Sequence, residues 1–207
     1  MLGKKLYEAQ VQFLQMEKEK KESELRFLKS QIDPHFLFNN LNTVDSLIDS
    51  DPSKAKVYLN KLSTLYRYLI STKDDEVVPL EDELAFAENY QFLIETRYGK
   101  AYQFEIKNEA TNSDSFLIPP GALQTLLENI VKHNKAAHES PVISTIQIND
   151  DSIEVSNDLN LKTEKVDSHG VGMNNLKARY KLLTDKAVEV VKSDKFTVRL
   201  PVIKEVS

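Results

Sequence analysis

Two short segments of the 207-residue sequence hold polar residues whose types and spacing could do chemistry. The first segment surrounds His35, which Asn39 follows four residues later, so in a helix their side chains share one face. A neutral imidazole is a competent nucleophile, and an amide beside it can orient the imidazole or a water molecule. On spacing alone, a partly buried histidine after a helix-starting proline at Pro34 is the simpler interpretation.

The second segment runs from Glu128 to His133 on a predicted helix that is otherwise apolar. Glu128 and Lys132 are four residues apart, as are Asn129 and His133. Carboxylate, amide, ammonium and imidazole groups together suit a site for Mg²⁺ and phosphate. The alternative is a solvent-exposed helix end with an ordinary Glu128–Lys132 pair. A metal site of His133 and His138 is disfavoured, because five residues is a poor helical spacing.

A pair of glycines, Gly170 and Gly172, follows a polar stretch at residues 158–169 and precedes a predicted helix. Glycine lets backbone N–H groups approach phosphate oxygens, and a helix N-terminus favours negative charge. A single pair of this kind is weak evidence for phosphate binding and is usually a turn.

The N-terminal half is predicted to be helical. Apolar residues between Leu2 and Met16 alternate four and three apart, as in a coiled coil, and a second series begins at Leu25. The charged residues 17–24 between them mark either a shift of register or a solvated helix face. Pro34 either kinks this helix or starts a new one, and further helices are predicted at residues 54–70 and 81–98.

The C-terminal half is predicted to be mixed. Strands are expected at residues 102–106, 142–148, 152–156, 187–191 and 195–200, with a hairpin turn at 149–151. Helices are expected at residues 122–135 and from just after Gly172 to about Leu183. The economical packing is a mixed sheet covered on one face by two or three helices.

Composition limits the kind of protein. The absence of cysteine excludes disulfides, thiolate catalysis and cysteine-based metal sites, and fits a reducing cytoplasm. The 32 acidic residues against 27 basic ones argue against a nucleic-acid partner. No apolar run approaches the roughly 18 residues of a membrane-spanning helix, and no signal peptide is recognisable.

In this order, the motifs resemble one family. The segment Asp33-Pro-His-Phe-Leu-Phe-Asn-Asn-Leu-Asn42 closely resembles the phosphoacceptor signature of LytS/YehU-type sensor histidine kinases. Residues 80–84 and 89–99 look like the family's next helix, and residues 118–133 look like the start of its ATP-binding domain. Residues 170–179 look like its glycine box and the helix behind it. The resemblance covers about residues 25 to 200.

The resemblance implies an α+β fold class in three segments. Residues 1–24 are expected to form a coiled-coil signalling helix, and residues 25–98 an antiparallel helical dimerisation and phosphoacceptor domain. Residues 99–207 are expected to form an ATP-binding α/β sandwich of the gyrase/Hsp90/histidine-kinase type.

The resemblance also implies an activity. His35 would accept the γ-phosphoryl group of ATP and pass it to an aspartate of a response regulator, and Asn39 would orient water when the kinase dephosphorylates its partner. Around the nucleotide, the family assigns Mg²⁺ binding to Asn129, proton handling to Glu128, phosphate contacts to Lys132 and His133, and the flexible pocket edge to Gly170 and Gly172. The implied assembly is a homodimer, the cytoplasmic portion of a sensor anchored in the membrane by an upstream segment.

Two departures from the family pattern leave alternatives open. The family's Asp-x-Gly-x-Gly box, whose Asp binds the adenine amino group, is replaced by Ser156-Asn-Asp-Leu159, with Asn157 or Asp158 as the substitute. A lost adenine contact costs roughly 1–3 kcal/mol, or about ten- to a hundredfold in affinity. In addition, Asp33 is poorly placed as a base for His35. The alternatives are therefore a degenerate kinase acting as a dimeric docking platform and, less favoured, a protein-serine kinase.

Overall fold

The computed structural model describes residues 34–160 and 171–204, with the backbone alone at residues 34, 35 and 171. The chain divides between Ser50 and Asp51 into two compact units. The predicted coiled coil of residues 1–24, the apolar series from Leu25 and Asp33, and Gly170 lie outside the described residues.

Helix α1, Pro34–Ser50, is the described part of the first unit. His35 and Asn39 both lie on it, four residues apart, as the sequence predicts. Asn40 is buried and its Nδ2 donates a 2.7 Å hydrogen bond to the carbonyl of Phe36. This bond lies within the helix, four residues back along the chain.

The second unit begins with two packed helices, α2 (Pro52–Ser71) and α3 (Leu80–Tyr98). Asp51 caps α2 by accepting a 3.0 Å bond from the Lys54 amide, and Pro52 occupies the first turn. Helix α3 ends at Gly99, whose positive φ of 62° suits glycine.

The two helices run antiparallel, because later residues of α2 contact earlier residues of α3. Lys61 Nζ donates to Asn89 Oδ1 at 2.9 Å, and the Tyr68 hydroxyl donates to Glu83 Oε1 at 2.6 Å.

A five-stranded mixed sheet follows. Its strands are β2 (Tyr102–Asn108), β4 (Val142–Ile148), β5 (Ser152–Asp158), β6 (Glu189–Lys192) and β7 (Lys195–Pro201). The spatial order is β2-β4-β5-β7-β6, with β2 and β4 parallel and every other pair antiparallel. The predicted hairpin of β4 and β5 is present, and β6 and β7 form a second hairpin. A helical N-terminal part followed by a mixed sheet confirms the predicted α+β fold class.

The remaining elements are two helices, two short 3₁₀ turns and a small sheet. The helices are α4 (Ala122–His133) and α5 (Val171–Leu183), and the turns are Gly99–Ala101 and Ser113–Ser115. The small antiparallel sheet has the order β1-β3-β8, formed by Val78–Pro79, Phe116–Ile118 and Ile203–Lys204. The sequence did not predict this sheet.

The core lies on one face of the large sheet. Alternate residues of β4, β5 and β7 are buried, while their neighbours are more exposed. The apolar residues of α4 are buried as well: Leu123, Leu126, Leu127 and Ile130. Within residues 34–160 and 171–204, no helix combines the length and the apolar character needed to cross a membrane.

Among the element boundaries that differ from prediction, two have a clear physical reason. Helix α4 ends at His133, two residues before the predicted end, because Asn134 is extended and its buried side chain bonds the Ile130 carbonyl at 3.0 Å. Strand β5 continues to Asp158, because residues 157 and 158 still pair with β7.

Candidate functional site

Helix α4 brings together four of the residues that the sequence singles out. Its apolar side is buried, whereas Glu128, Asn129 and His133 are half-buried and Lys132 is exposed. The four polar residues occupy the C-terminal half of the helix. A helix packed on one side thus presents a carboxylate, an amide, an ammonium group and an imidazole near one end.

Glu128 has a hydrogen bond within its own helix and an electrostatic effect on the neighbouring helix. Gln124, one turn earlier, donates from Nε2 to Glu128 Oε1 at 2.8 Å. On the neighbouring helix α3, burial raises the pKa of Tyr90 well above its ordinary value, and the negative charge of Glu128 raises it further. The carboxylate of Glu128 therefore lies close enough to α3 for its charge to act on a buried phenol.

The end of α4 is tied to the end of β5. The side-chain Oδ1 of the buried Asn134 accepts a 3.1 Å bond from the Asn160 amide, and the Lys135 amide donates to the Asn160 carbonyl at 2.7 Å. Tyr102 on β2 also donates its hydroxyl to the Asn134 carbonyl at 2.9 Å. These bonds fix the helix end that carries His133 against the strand end that carries Asn157.

The structure separates the two substitutes for the adenine-binding aspartate. Asn157 is 2% exposed and its Nδ2 donates to the Asp158 carbonyl at 2.8 Å. Asp158 points to the other side of the sheet, where Lys195 Nζ lies 3.4 Å from its Oδ1. Asn157 alone of the two is on the buried face.

Ser144 lies opposite Asn157 on the adjacent strand. Its side chain is buried, and within the described residues its Oγ has no hydrogen-bond partner. A buried hydroxyl in this state is costly unless something else completes its hydrogen bonding. The buried face therefore has a polar patch of hydroxyl and amide at this end of β4 and β5.

Gly172 has a different position from the one predicted. It lies in the first turn of α5 and not in a loop before the helix. A Cβ added there would lie 3.3 Å from Cγ2 of Thr125, so glycine allows α5 to approach α4 closely. Its predicted role at the edge of a nucleotide pocket stays a prediction, as does that of Gly170.

Sequence reasoning missed Glu83, a fully buried carboxylate on α3. Its Oε1 accepts bonds from the Tyr68 hydroxyl at 2.6 Å and the Gly121 amide at 2.7 Å, and its Oε2 accepts one from the Leu123 amide at 2.8 Å. Burial raises the pKa of Glu83, while these three bonds and the charge of Arg179 oppose that rise. The sequence does contain a signal for this burial. At helical spacing, Glu83 falls on the same face of α3 as Leu80 and Ala87, which are both buried.

Magnesium is compatible with the oxygen ligands that α4 offers. Mg²⁺ typically binds one or two protein oxygens and completes its shell with phosphate and water. Across the described ranges, no three acidic or histidine side chains gather closely enough to form a metal cage. Asn129, with Glu128 beside it, matches the sparse protein share of a magnesium–nucleotide site.

Comparison with known proteins adds the family. The model of the histidine kinase family matches residues 23–102. The chain is 39% identical over 111 residues to the sensor protein LytS of Streptococcus mutans. This alignment covers 54% of this chain and 19% of that relative. It is 34% identical over 146 residues to the sensor protein LytS of Oceanobacillus iheyensis. This second alignment covers 67% of this chain and 24% of that relative.

A solved structure is also similar, the cytoplasmic segment of histidine kinase QseC. The sequences are 17% identical, the TM-score is 0.46, and the likeness covers 73% of this chain and 94% of that chain.

The family match assigns residues 23–102 to a class of protein, the histidine kinases. The relatives narrow that class, because over the aligned residues the chain is similar to sensor proteins LytS. The predicted resemblance is confirmed. The chain spans about a fifth to a quarter of the length of the curated relatives described here.

Proposed function

We propose that this chain autophosphorylates His35 from ATP and transfers the phosphoryl group to an aspartate of a response regulator. One observation carries the proposal: the histidine kinase match at residues 23–102 contains the segment 33–42, in which the resemblance implies the phosphoacceptor role for His35. In that role the His35 imidazole is the nucleophile. Asn39, one turn further along α1, orients the water that attacks a phosphorylated partner.

In this proposal, the nucleotide binds beside the C-terminal ends of α4 and β5. Support comes from the buried, unpartnered Ser144 hydroxyl beside the buried Asn157 amide, since a purine edge offers hydrogen-bonding groups to both. Asp158, predicted as the alternative contact, is paired with Lys195 on the opposite side of the sheet. Asn157 is therefore the preferred adenine contact.

The phosphates belong along the polar side of α4. ATP supplies the phosphoryl group, and Mg²⁺ offsets the negative charge that develops during transfer. Asn129 contributes an oxygen to Mg²⁺, and Lys132 and His133 contact phosphate oxygens. Glu128, held by Gln124, assists proton handling with its carboxylate.

A homodimer is the proposed assembly. Large apolar side chains are exposed on each helix of the N-terminal part: Phe38, Leu41 and Ile48 on α1, and Val57, Leu59 and Ile70 on α2. Exposed apolar surface of this kind is typical of a contact with another protein surface. We further propose residues 1–24, 25–98 and 99–207 as the signalling, dimerisation and ATP-binding segments of the cytoplasmic portion of a membrane sensor.

The main competing function is a degenerate kinase that serves as a dimeric docking platform. The observation in its favour is the sequence Ser156-Asn-Asp-Leu159, which lacks the glycines of the family's adenine-binding box. A protein-serine kinase is the third candidate, and its phosphate would be acid-stable and independent of His35.

Calorimetric titration with ADP and a non-hydrolysable ATP analogue in Mg²⁺, followed by radiolabelling with ATP, separates these functions. We expect micromolar binding and an acid-labile label that His35→Gln removes without loss of nucleotide binding. Equal labelling of variant and wild type would contradict the phosphoacceptor role. A folded dimer that gives no heat up to millimolar nucleotide would favour the docking platform.

A further inference from the structure

Glu83 bonds to residues from two other helices. It lies in the first turn of α3, yet its two oxygens accept from Tyr68 on α2 and from the backbone amides of Gly121 and Leu123. Those amides belong to the start of α4. One buried carboxylate thus joins α2, α3 and α4, all within the second unit.

The carboxylate replaces the missing cap of α4. The first amides of any helix lack intrahelical partners, and a side chain at the N-cap usually accepts from them. The N-cap of α4 is Gly121, which has a positive φ of 73° and no side chain. Glu83 supplies the acceptor from another helix, and its charge also suits the positive end of the α4 dipole.

A second bond anchors the same turn from α5. Arg179 donates from Nη1 to the Pro120 carbonyl at 2.6 Å, directly before Gly121. The positive charge of Arg179 also acts on Glu83. Residues 120–123 are therefore fixed by a carboxylate from α3 and a guanidinium from α5.

The position of this turn matters for the residues further along α4. Gly121 lies two turns before Glu128 and Asn129, and the intervening helix is regular and packed on its apolar side. A displacement of the first turn is therefore passed along a rigid element to the polar side chains near the other end.

We propose that Glu83 is a positioning residue for the kinase reaction, linking Tyr68 on α2 to the N-terminal turn of α4 and so setting the positions of Glu128 and Asn129. The proposal rests on the proposed function, because the reaction is the one assigned above to α4. Through this link, the packing of α2 against α3 affects the affinity for the nucleotide.

Three variants of the full chain test the link. Tyr68→Phe removes one donor to Glu83 and keeps the ring that packs 5.6 Å from Phe86. Glu83→Gln keeps one oxygen for Tyr68 and Gly121 but sets an amide group against the Leu123 amide. Lys61→Met is the matched control, because it breaks the bond between α2 and Asn89 on α3 without touching α4.

The first readout is amide hydrogen exchange at Gly121 and Leu123, measured by NMR well below the melting temperature of every variant. We expect exchange about three- to tenfold faster at both amides in Tyr68→Phe, and in Glu83→Gln chiefly at Leu123. Lys61→Met should match the wild type at both. This site-specific pattern distinguishes positioning from a general loss of stability.

The second readout is the ADP dissociation constant in Mg²⁺, with the KM and kcat of autophosphorylation. We expect Tyr68→Phe to raise the dissociation constant and KM for ATP about three- to tenfold with little change in kcat, and Lys61→Met to leave them unchanged. Unchanged exchange in Tyr68→Phe, or faster exchange with unchanged ADP affinity, would overturn the proposal. A wild type that binds no nucleotide would overturn the proposed function and with it the positioning role, whereas the exchange data would still report whether the Tyr68–Glu83 link exists.

Discussion

Ser144 and Asn157 face each other across β4 and β5 as buried neighbours, 1% and 2% exposed. The next residue, Asp158, alternates to the other side of the sheet and pairs with Lys195. The sequence left Asn157 and Asp158 as equal substitutes for an adenine-binding carboxylate. Their opposite orientations favour Asn157 as the residue that contacts the base.

Replacing Asn157 and Asp158 with alanine, one at a time, tests which of the two contacts the base. We expect Asn157→Ala to weaken ADP binding about three- to tenfold, because one hydrogen bond to the base is lost. Asp158→Ala is the matched control and should leave the dissociation constant within twofold of the wild type, measured by calorimetry in Mg²⁺. The reverse ranking would mean that Asp158 reaches the nucleotide.

The elements with strong local signals were predictable from sequence. Strand β4 was predicted with its observed bounds, because residues 142–148 are rich in β-branched residues and a turn follows. Helix α3 ends at Gly99 because glycine is a normal helix stop. The small sheet was not predictable, since strands of two or three residues, such as Val78–Pro79, have no periodicity to detect.

Only the part of the candidate site that lies on one helix was predictable from the sequence. Glu128, Asn129, Lys132 and His133 are close in sequence, so one helix was enough to bring them together. Glu83 caps a helix that begins 39 residues later in the chain, and only the tertiary fold creates that contact. An acidic side chain in the first turn is also favourable for its own helix, so the residue type alone does not point to a contact with another helix.

Asn129 provides a second functional prediction. We expect Asn129→Asp to weaken magnesium–ADP binding about tenfold or more, because a second carboxylate beside Glu128 adds negative charge where phosphates are to bind. Calorimetry measures the affinity, and sedimentation should show an unchanged dimer. Asn112→Asp is the control, since it adds the same charge at an exposed residue away from α4. A monomeric Asn129→Asp variant, or one with wild-type affinity, would contradict the assigned role.

The contact between Gly172 and Thr125 gives a prediction about packing. Glycine to alanine in a helix gains up to about 1 kcal/mol, but here the new methyl group would meet Thr125 Cγ2 at 3.3 Å. We expect Gly172→Ala to gain less than that in the wild type and more in a Thr125→Ser background, where the opposing methyl is absent. The serine hydroxyl can keep the 2.9 Å bond that Thr125 makes to the Gly121 carbonyl. Urea unfolding of the wild type, the two single variants and the double variant measures the coupling between the two residues. If their effects on the free energy of unfolding are strictly additive, the two residues do not crowd each other.

Asp150 gives a prediction about acid stability. In the turn between β4 and β5, its Oδ1 accepts from the Thr111 amide at 2.7 Å and its Oδ2 from the Thr111 hydroxyl at 3.2 Å. These bonds lower the pKa of Asp150 below its ordinary value. A folded-state pKa that is lowered adds stability above the unfolded pKa of about 3.9, and this stability is lost as the pH falls through the folded value.

We therefore expect the wild type to be more stable than Asp150→Asn near pH 7, and the difference to shrink as the pH falls below about 4. The asparagine retains one acceptor oxygen but no charge, so it cannot reproduce both bonds to Thr111 in full. Urea unfolding across a pH series measures the difference, and a double-mutant cycle with Thr111→Ala isolates the hydroxyl bond. A difference that stays constant from pH 7 to pH 3 would show that the charge of Asp150 does not contribute to folding. A difference that shrinks as expected would show that this exposed carboxylate ties the β4–β5 turn to the loop after β2.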